Sequence, residues 1–171
     1  MSSLEIRTFT VTDFQQNARL IINHDTCDIV AVDIGGQADQ ILADIDLSIY
    51  TITSIFLTHC HIDHGGGVVD FIKQVHPYQP TPPRVIYHQD EVIIGQHIDA
   101  YAQSMGLPSG IYKNTPPADI HPIHHDPLSI GSTHGTLLFT PGHAPGHLAL
   151  FFEDVSVTLT GDFSANHSYP H

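Results

Sequence analysis

Apolar positions along this chain fall into short blocks with two rhythms. Residues 5–11 alternate and carry β-branched types, which predicts a strand. Residues 18–23 predict a second strand, and His24-Asp25-Thr26 a turn. Residues 28–33 predict a third strand, mostly apolar and therefore buried, closed by Gly35-Gly36. Within 37–47, Ile41, Leu42, Ile45 and Leu47 fit a short helix with one apolar face. Residues 52–57 form another buried strand. After Gly65-Gly66-Gly67, the positions Val68, Val69, Ile72 and Val75 return to helical spacing. Residues 84–87 predict a strand, and 89–104 a helix ended by Gly106. The stretch 107–134, rich in Pro, His and Asp, reads as a long surface loop. Three strands follow at 135–140, 147–152 and 155–160. The order is β-rich, then β-α-β-α, then β-rich, which is a mixed α/β architecture rather than a simple doubly wound one. No internal repeat or interdomain linker divides the chain, so residues 1–171 are expected to form one domain, with 162–171 as an atypical tail.

Charge narrows the function. Five Lys+Arg stand against eighteen Asp+Glu, for a formal charge of −13. Such a surface repels phosphate backbones and anionic membranes, which argues against nucleic acid and membrane as partners. Two cysteines, Cys27 and Cys60, make no disulfide framework. Cys60 lies among histidines, where oxidation would wreck a site, so a reducing compartment fits. The first residues lack a basic stretch followed by an apolar run, and no segment approaches the ~20 apolar residues of a membrane span. The expected location is the cytoplasm.

The densest chemistry is Thr58-His59-Cys60-His61-Ile62-Asp63-His64-Gly65, directly after a predicted strand. Three imidazoles and a carboxylate this close need a cation to collect them, and neutral imidazole and ionised carboxylate are preferred ligands of divalent metals. His59 and His61, two apart, point the same way in an extended segment. Asp63 and His64 follow a turn, so the segment can offer two pairs of ligands to two neighbouring ions. About eighty residues on, Pro141-Gly142 presents His143 beyond another strand, with His147 close behind. Gly161-Asp162 ends a third strand. Three loops at strand ends can therefore aim at one point. The fifteen histidines also include His121, His124 and His125, which read as surface residues.

With these motifs in this order, from residue 6 to 162, the chain resembles the metallo-β-lactamase-fold hydrolases, and among them short, single-domain glyoxalase II-like proteins related to hydroxyacylglutathione hydrolase. Asn17 and Asp33-Ile34-Gly35-Gly36 also match the family pattern. The resemblance implies an α/β, αββα sandwich with two mixed β-sheets. It implies that His59, His61 and His143 hold a first metal, that Asp63 and His64 hold a second, and that Asp162 bridges them. The expected metal is Zn2+ at two sites, with Fe2+ or Mn2+ as alternatives. The reaction implied is hydrolysis of a small-molecule thioester, such as an S-acyl glutathione, by metal-activated water that Asp63 orients; no Ser or Cys nucleophile is needed. His147 falls outside the ligand set as a supporting residue. Cys60 is expected to be a small core residue, and His88 to serve packing or a helix start.

The chain departs from the family pattern after Asp162. Relatives continue with a strand, a helix and a final histidine for the second metal, whereas Phe163–His171 is polar and unlike them. The reading is therefore of a C-terminally truncated member that lacks the last strand and helix layer, with an incomplete second site that His167 or His171 would have to complete. It predicts one tight metal and one weak or absent one. The alternatives are a mono-iron sulfur dioxygenase on the same fold, which needs only one redox-active Fe2+, a nuclease of the same superfamily, disfavoured by the acidic charge, and an inactive metal-binding fragment.

Overall fold

Strand connectivity explains how the chain buries both faces of one sheet. A computed structural model describes residues 4–162; Phe163–His171, including His167 and His171, lie outside them. Strands β1 (Leu4–Val11), β2 (Gln16–Asn23) and β3 (Asp28–Val32) form an antiparallel meander. Strands β4 (Thr51–Phe56) and β5 (Arg84–Ile86) join it in parallel, giving the order β1-β2-β3-β4-β5. The parallel steps need crossovers. These carry α1 (Ala38–Leu42), then α2 (Ile62–Gly65) and α3 (Val68–Val75). A second sheet holds β6 (Pro127–Ile130), β7 (Thr133–Phe139), β8 (Leu148–Phe152) and β9 (Val157–Leu159) in sequential order. Only the first sheet is mixed; pairing in the second is antiparallel throughout the described residues.

The period of two along the central strands sorts their side chains. Leu20, Ile22, Ile29, Ala31 and Ile55 face α1 and α3, packing with Ile41, Val68, Phe71 and Val75. Ile21, Val30, Val32 and Phe56 face the second sheet, meeting Leu137, Leu148, Leu150 and Phe152. Burial on both faces is why β2 to β4 read as continuous apolar runs. Each of the Val, Leu, Ile and Phe side chains among these contributes about 1.5–3 kcal/mol by leaving water. No helix among the described residues is long and apolar enough to cross a membrane.

Three expectations are corrected. The helix expected within 37–47 spans only Ala38–Leu42, although Ile45 and Leu47 still pack on the core. The helix expected over 89–104 is broken into a 3-10 turn (Gln89–Glu91), α4 (Val92–Gly95) and α5 (Ile98–Ser104). The cause is competition for backbone partners: the Thr115 N–H donates to the Gly95 carbonyl at 2.8 Å, and the Asp99 N–H donates to Asn114 Oδ1 at 2.9 Å. Those are the two groups a continuous helix would pair with each other. The expected loop 107–134 contains β6, whose Leu128 and Ile130 alternate into the core between exposed Pro127 and Ser129. Three residues of alternation after a proline are too few to stand out in sequence.

Candidate metal centre

The ends of β4, β7 and β9 bring together the loops flagged in the sequence. Asp33, just past β3, accepts from the Thr58 N–H at 2.7 Å and from the Thr58 hydroxyl at 2.8 Å. Thr58 Oγ1 in turn lies 3.0 Å from His59 Nδ1. This chain of contacts fixes the His59 ring and leaves its Nε2 facing the other histidines. His61 precedes α2 in extended conformation (φ −62°, ψ 159°) and so turns its ring back toward His59. The two ring centroids are 4.6 Å apart. His143 lies 4.8 Å from His59 ring to ring, and its Nε2 is 3.1 Å from His61 Nδ1. Nitrogens of His59, His61 and His143 all lie within 4.8 Å of one another.

A second group shares His59. One ligand atom each from His59, His64 and Asp162 lies within 4.8 Å of the others. His64 Nδ1 is 3.1 Å from Asp33 Oδ2, within ion-pair reach though off hydrogen-bond alignment; its Nε2 is 3.4 Å from Asp162 Oδ1 and 3.6 Å from Asp63 Oδ2. The other Asp162 oxygen is 3.6 Å from His143 Nε2. The Asp162 carboxylate thus lies between His143 and His64. Asp63 stands at the edge, beside His64 but outside both three-residue groups.

Two glycines make this approach feasible. A Cβ on Gly35 would sit 1.6 Å from the Asp63 carbonyl oxygen, so only glycine lets α2 pass this close to the end of β3. Gly161 has φ +53°, and a Cβ there would fall 2.5 Å from Thr58 Oγ1 and 2.9 Å from His147 Nε2. It delivers Asp162 across the top of both.

Two buried side chains hold the loops in place. His147 is buried, with Nδ1 2.8 Å from Thr140 Oγ1 and its ring centroid 5.2 Å from that of His59. Glu91, fully buried on the 3-10 turn, accepts from the Cys60 N–H at 2.8 Å and from the Gly146 N–H at 2.7 Å. One carboxylate therefore ties the peptide between His59 and His61 to the loop that carries His143 and His147. Nothing in the sequence singles out Glu91; its part becomes visible only when the two loops meet. Cys60 is buried, its thiol pushed well up by burial first and by the Glu91 and Asp33 charges next, as suits a core residue. His88 serves a helix start, its Nδ1 accepting from the Asp90 N–H at 3.2 Å.

Electrostatics prepares the rings as lone-pair donors. Burial, followed by the surrounding imidazoles, holds His59 far below the ordinary imidazole range. Burial and then His143 lower His61 as well. His64 behaves oppositely: burial works against its charge, but Asp33, Asp162 and Asp63 outweigh it and leave it raised to about 10. Asp162 is lowered, first by the His64 ring whose Nε2 lies 3.4 Å from its Oδ1. His59 Nε2 and both nitrogens of His64 are shielded from water and have no hydrogen-bond partner. A polar atom left this way costs about 1–3 kcal/mol. A divalent cation fits such a donor set, because it can take the His59 lone pair directly and that of His64 in exchange for its proton.

Sandwich and donor set together describe a metallo-hydrolase. The chain belongs to the metallo-beta-lactamase superfamily, which residues 11–171 match. It is 35% identical over 157 residues to the probable metallo-hydrolase YqgX of Bacillus subtilis, covering 91% of this chain and 69% of that one. It is 27% identical over 159 residues to the hydroxyacylglutathione hydrolase GloC of Haemophilus influenzae, covering 93% and 71%. Among solved structures, the BLEG-1 B3 metallo-beta-lactamase superposes with a TM-score of 0.74 at 26% identity, over 92% of this chain and 72% of that one.

Proposed function

We propose that this chain hydrolyses a thioester of the S-acyl glutathione kind at a two-metal centre. His59, His61 and His143 would hold one Zn2+, His64 and Asp63 the other, with Asp162 shared between them. The observation that carries this reading is the convergence of the first three imidazoles within 4.8 Å, with a nitrogen of the innermost ring buried and unpartnered. When bound, a divalent metal polarises a carbonyl and brings the pKa of water down to about 7. The chain's own groups do the positioning. Asp63 would accept a hydrogen bond from the attacking water and aim it; its partial exposure, 3.6 Å from His64, supports this role. Asp33 and Thr58 keep His64 and His59 in register. No nucleophilic side chain is required, and the one cysteine at the centre is buried with a raised pKa.

The test pairs elemental analysis with a thioester assay on the purified chain. Hydrolysis of S-lactoylglutathione that is lost on chelation and restored by Zn2+ supports the proposal. Metal-loaded protein that hydrolyses no thioester refutes it. Bound iron with oxygen uptake on glutathione persulfide would assign the site to oxidation instead.

A further inference from the structure

The segment after Glu91 is packed on one side only. Ile98 and Ala102 turn inward against Ile62 and Tyr112. Ile93, by contrast, is 73% exposed and Tyr101 56%, and Met105 and Phe14 are exposed too. With Ile94 these side chains line one groove of about 600 Å3. That volume is in the range that small-molecule sites use. Clustered apolar exposure of this sort marks a binding surface more often than scattered single residues do. What sets the groove apart is that His61 and Asp63 also form part of its wall. It therefore opens directly onto the candidate metal centre.

Among the described residues no Lys or Arg lines the groove; its imidazoles are His61 and His97, and His97 Nδ1 is tied 2.7 Å from the Ile93 carbonyl. Arg7 is paired with Glu5 and Asp44, and Lys113 with Asp70. Arg19 lines an adjoining, smaller cavity that shares Phe14 and Asp63 with the groove but includes none of Ile93, Tyr101 or Met105. An anionic arm lying on Ile93 and Tyr101 would lose hydration and gain no partner, whereas an alkyl arm gains by leaving water. Met105, unbranched and polarisable, adapts to such a chain.

We infer that this groove binds the acyl arm of the substrate and that this arm is an uncharged alkyl chain, longer than a short hydroxyacyl group. The inference rests on the thioesterase reading above for the identity of the arm. The alkyl chain lies along Ile93, Tyr101 and Met105, with its carbonyl end at His61 and Asp63.

The experiment holds the thiol constant and varies the chain. The metal-loaded protein is assayed with S-acetyl-, S-butanoyl-, S-hexanoyl- and S-octanoylglutathione. The expected kcat/KM rises about fourfold per methylene until the groove is full. Ile93→Asp and Tyr101→Glu should flatten that slope; both residues are exposed, so the fold tolerates them, and an unchanged thermal midpoint verifies it. Binding is read separately by calorimetry with S-methyl- and S-octylglutathione, thioethers that cannot be hydrolysed. The octyl compound should bind at least tenfold tighter, and Ile93→Asp should erase the difference. Hydrolysis without chain-length dependence, together with equal thioether binding, overturns the groove and leaves the thioesterase reading standing. Preference for the octyl thioether with no thioester hydrolysed leaves the alkyl site standing and removes that reading. Equal thioether binding with no hydrolysis overturns both.

Discussion

The two halves of the histidine cluster share one eight-residue segment yet treat a proton in opposite ways. In the half made of His59, His61 and His143, burial and mutual repulsion hold His59 and His61 below the ordinary imidazole range, so their lone pairs are free at neutral pH. In the half made of His64, Asp63 and Asp162, carboxylates surround the one imidazole and raise it to about 10, so a proton occupies it first. Carboxylates bring charge that a metal wants, but they attract a proton for the same reason. Neutral rings packed together do the reverse. On the proposed two-metal reading, one half can take a metal as it stands, and the other must exchange a proton for it.

The most severe way to break this contrast is to remove a proposed ligand from the first half. His143 is half-exposed, so His143→Ala should fold normally while weakening the metal proposed there by on the order of 3 kcal/mol, more than a hundredfold. Metal per chain after dialysis against a weak chelator measures it. Retention of one full equivalent would show that His143 is not a ligand.

Glu91→Gln tests the support rather than the ligands. An amide can accept only one of the two N–H donors and turns its own N–H against the other. Loops carrying His61 and His143 then lose their common anchor, and affinity in the first half should fall about ten- to a hundredfold. The absorption of the Co2+-substituted protein should change with it, and Glu91→Asp should recover part of the loss. An unchanged Co2+ spectrum with a lowered melting temperature would reduce Glu91 to a purely structural residue.

Proton release separates the halves directly. At pH 8, loading should free no proton from His59 or His61, and about one from His64. Affinity of the second half should therefore rise about tenfold per pH unit up to about 10 and level off. In the metal-free chain the sign is reversed. Stability from the charged His64 ring is fully present below the ordinary pKa of 6.5 and disappears as pH climbs through about 10. Titration calorimetry in buffers of differing ionisation enthalpy counts the protons. Equal release from both halves would remove the asymmetry.

How much of this was legible in the sequence follows from where each signal lies. Central strands were legible because burial on both faces leaves unbroken apolar runs, as in Ile29–Val32. Residues 59, 61 and 64 were legible as candidates because their spacing is local, and residues 143 and 162 because each follows a strand end; Asp63, singled out by the same spacing, stands outside both three-residue groups. Glu91 was not. It sits in Gln89-Asp90-Glu91, where an acidic residue reads as solvated, and its partners are peptide N–H groups 31 and 55 residues away. The break in the helix expected over 89–104 was hidden for the same reason, since Asn114 and Thr115 compete for its backbone only after the chain returns. The contrast between the halves was hidden too. A motif gives ligand identity, whereas the carboxylates that face His64 come from three separate segments.

The smallest expected effect concerns the residue between the ligands of the first half. Cys60 is buried in the core cluster with Ile55, Leu57 and Val68. Its backbone N–H, not its thiol, serves the site, through Glu91. Its raised pKa leaves little thiolate at neutral pH to bind metal. Cys60→Ala should therefore cost only on the order of 1 kcal/mol, the loss of one buried heavy atom and the small void it leaves. The thermal midpoint should fall by a few degrees, while metal stoichiometry and the proton count of both halves stay as they are. Loss of metal in this variant would make the thiol a ligand, and the neutral-imidazole account of the first half would then fail, because a thiolate brings the very charge that half was built without.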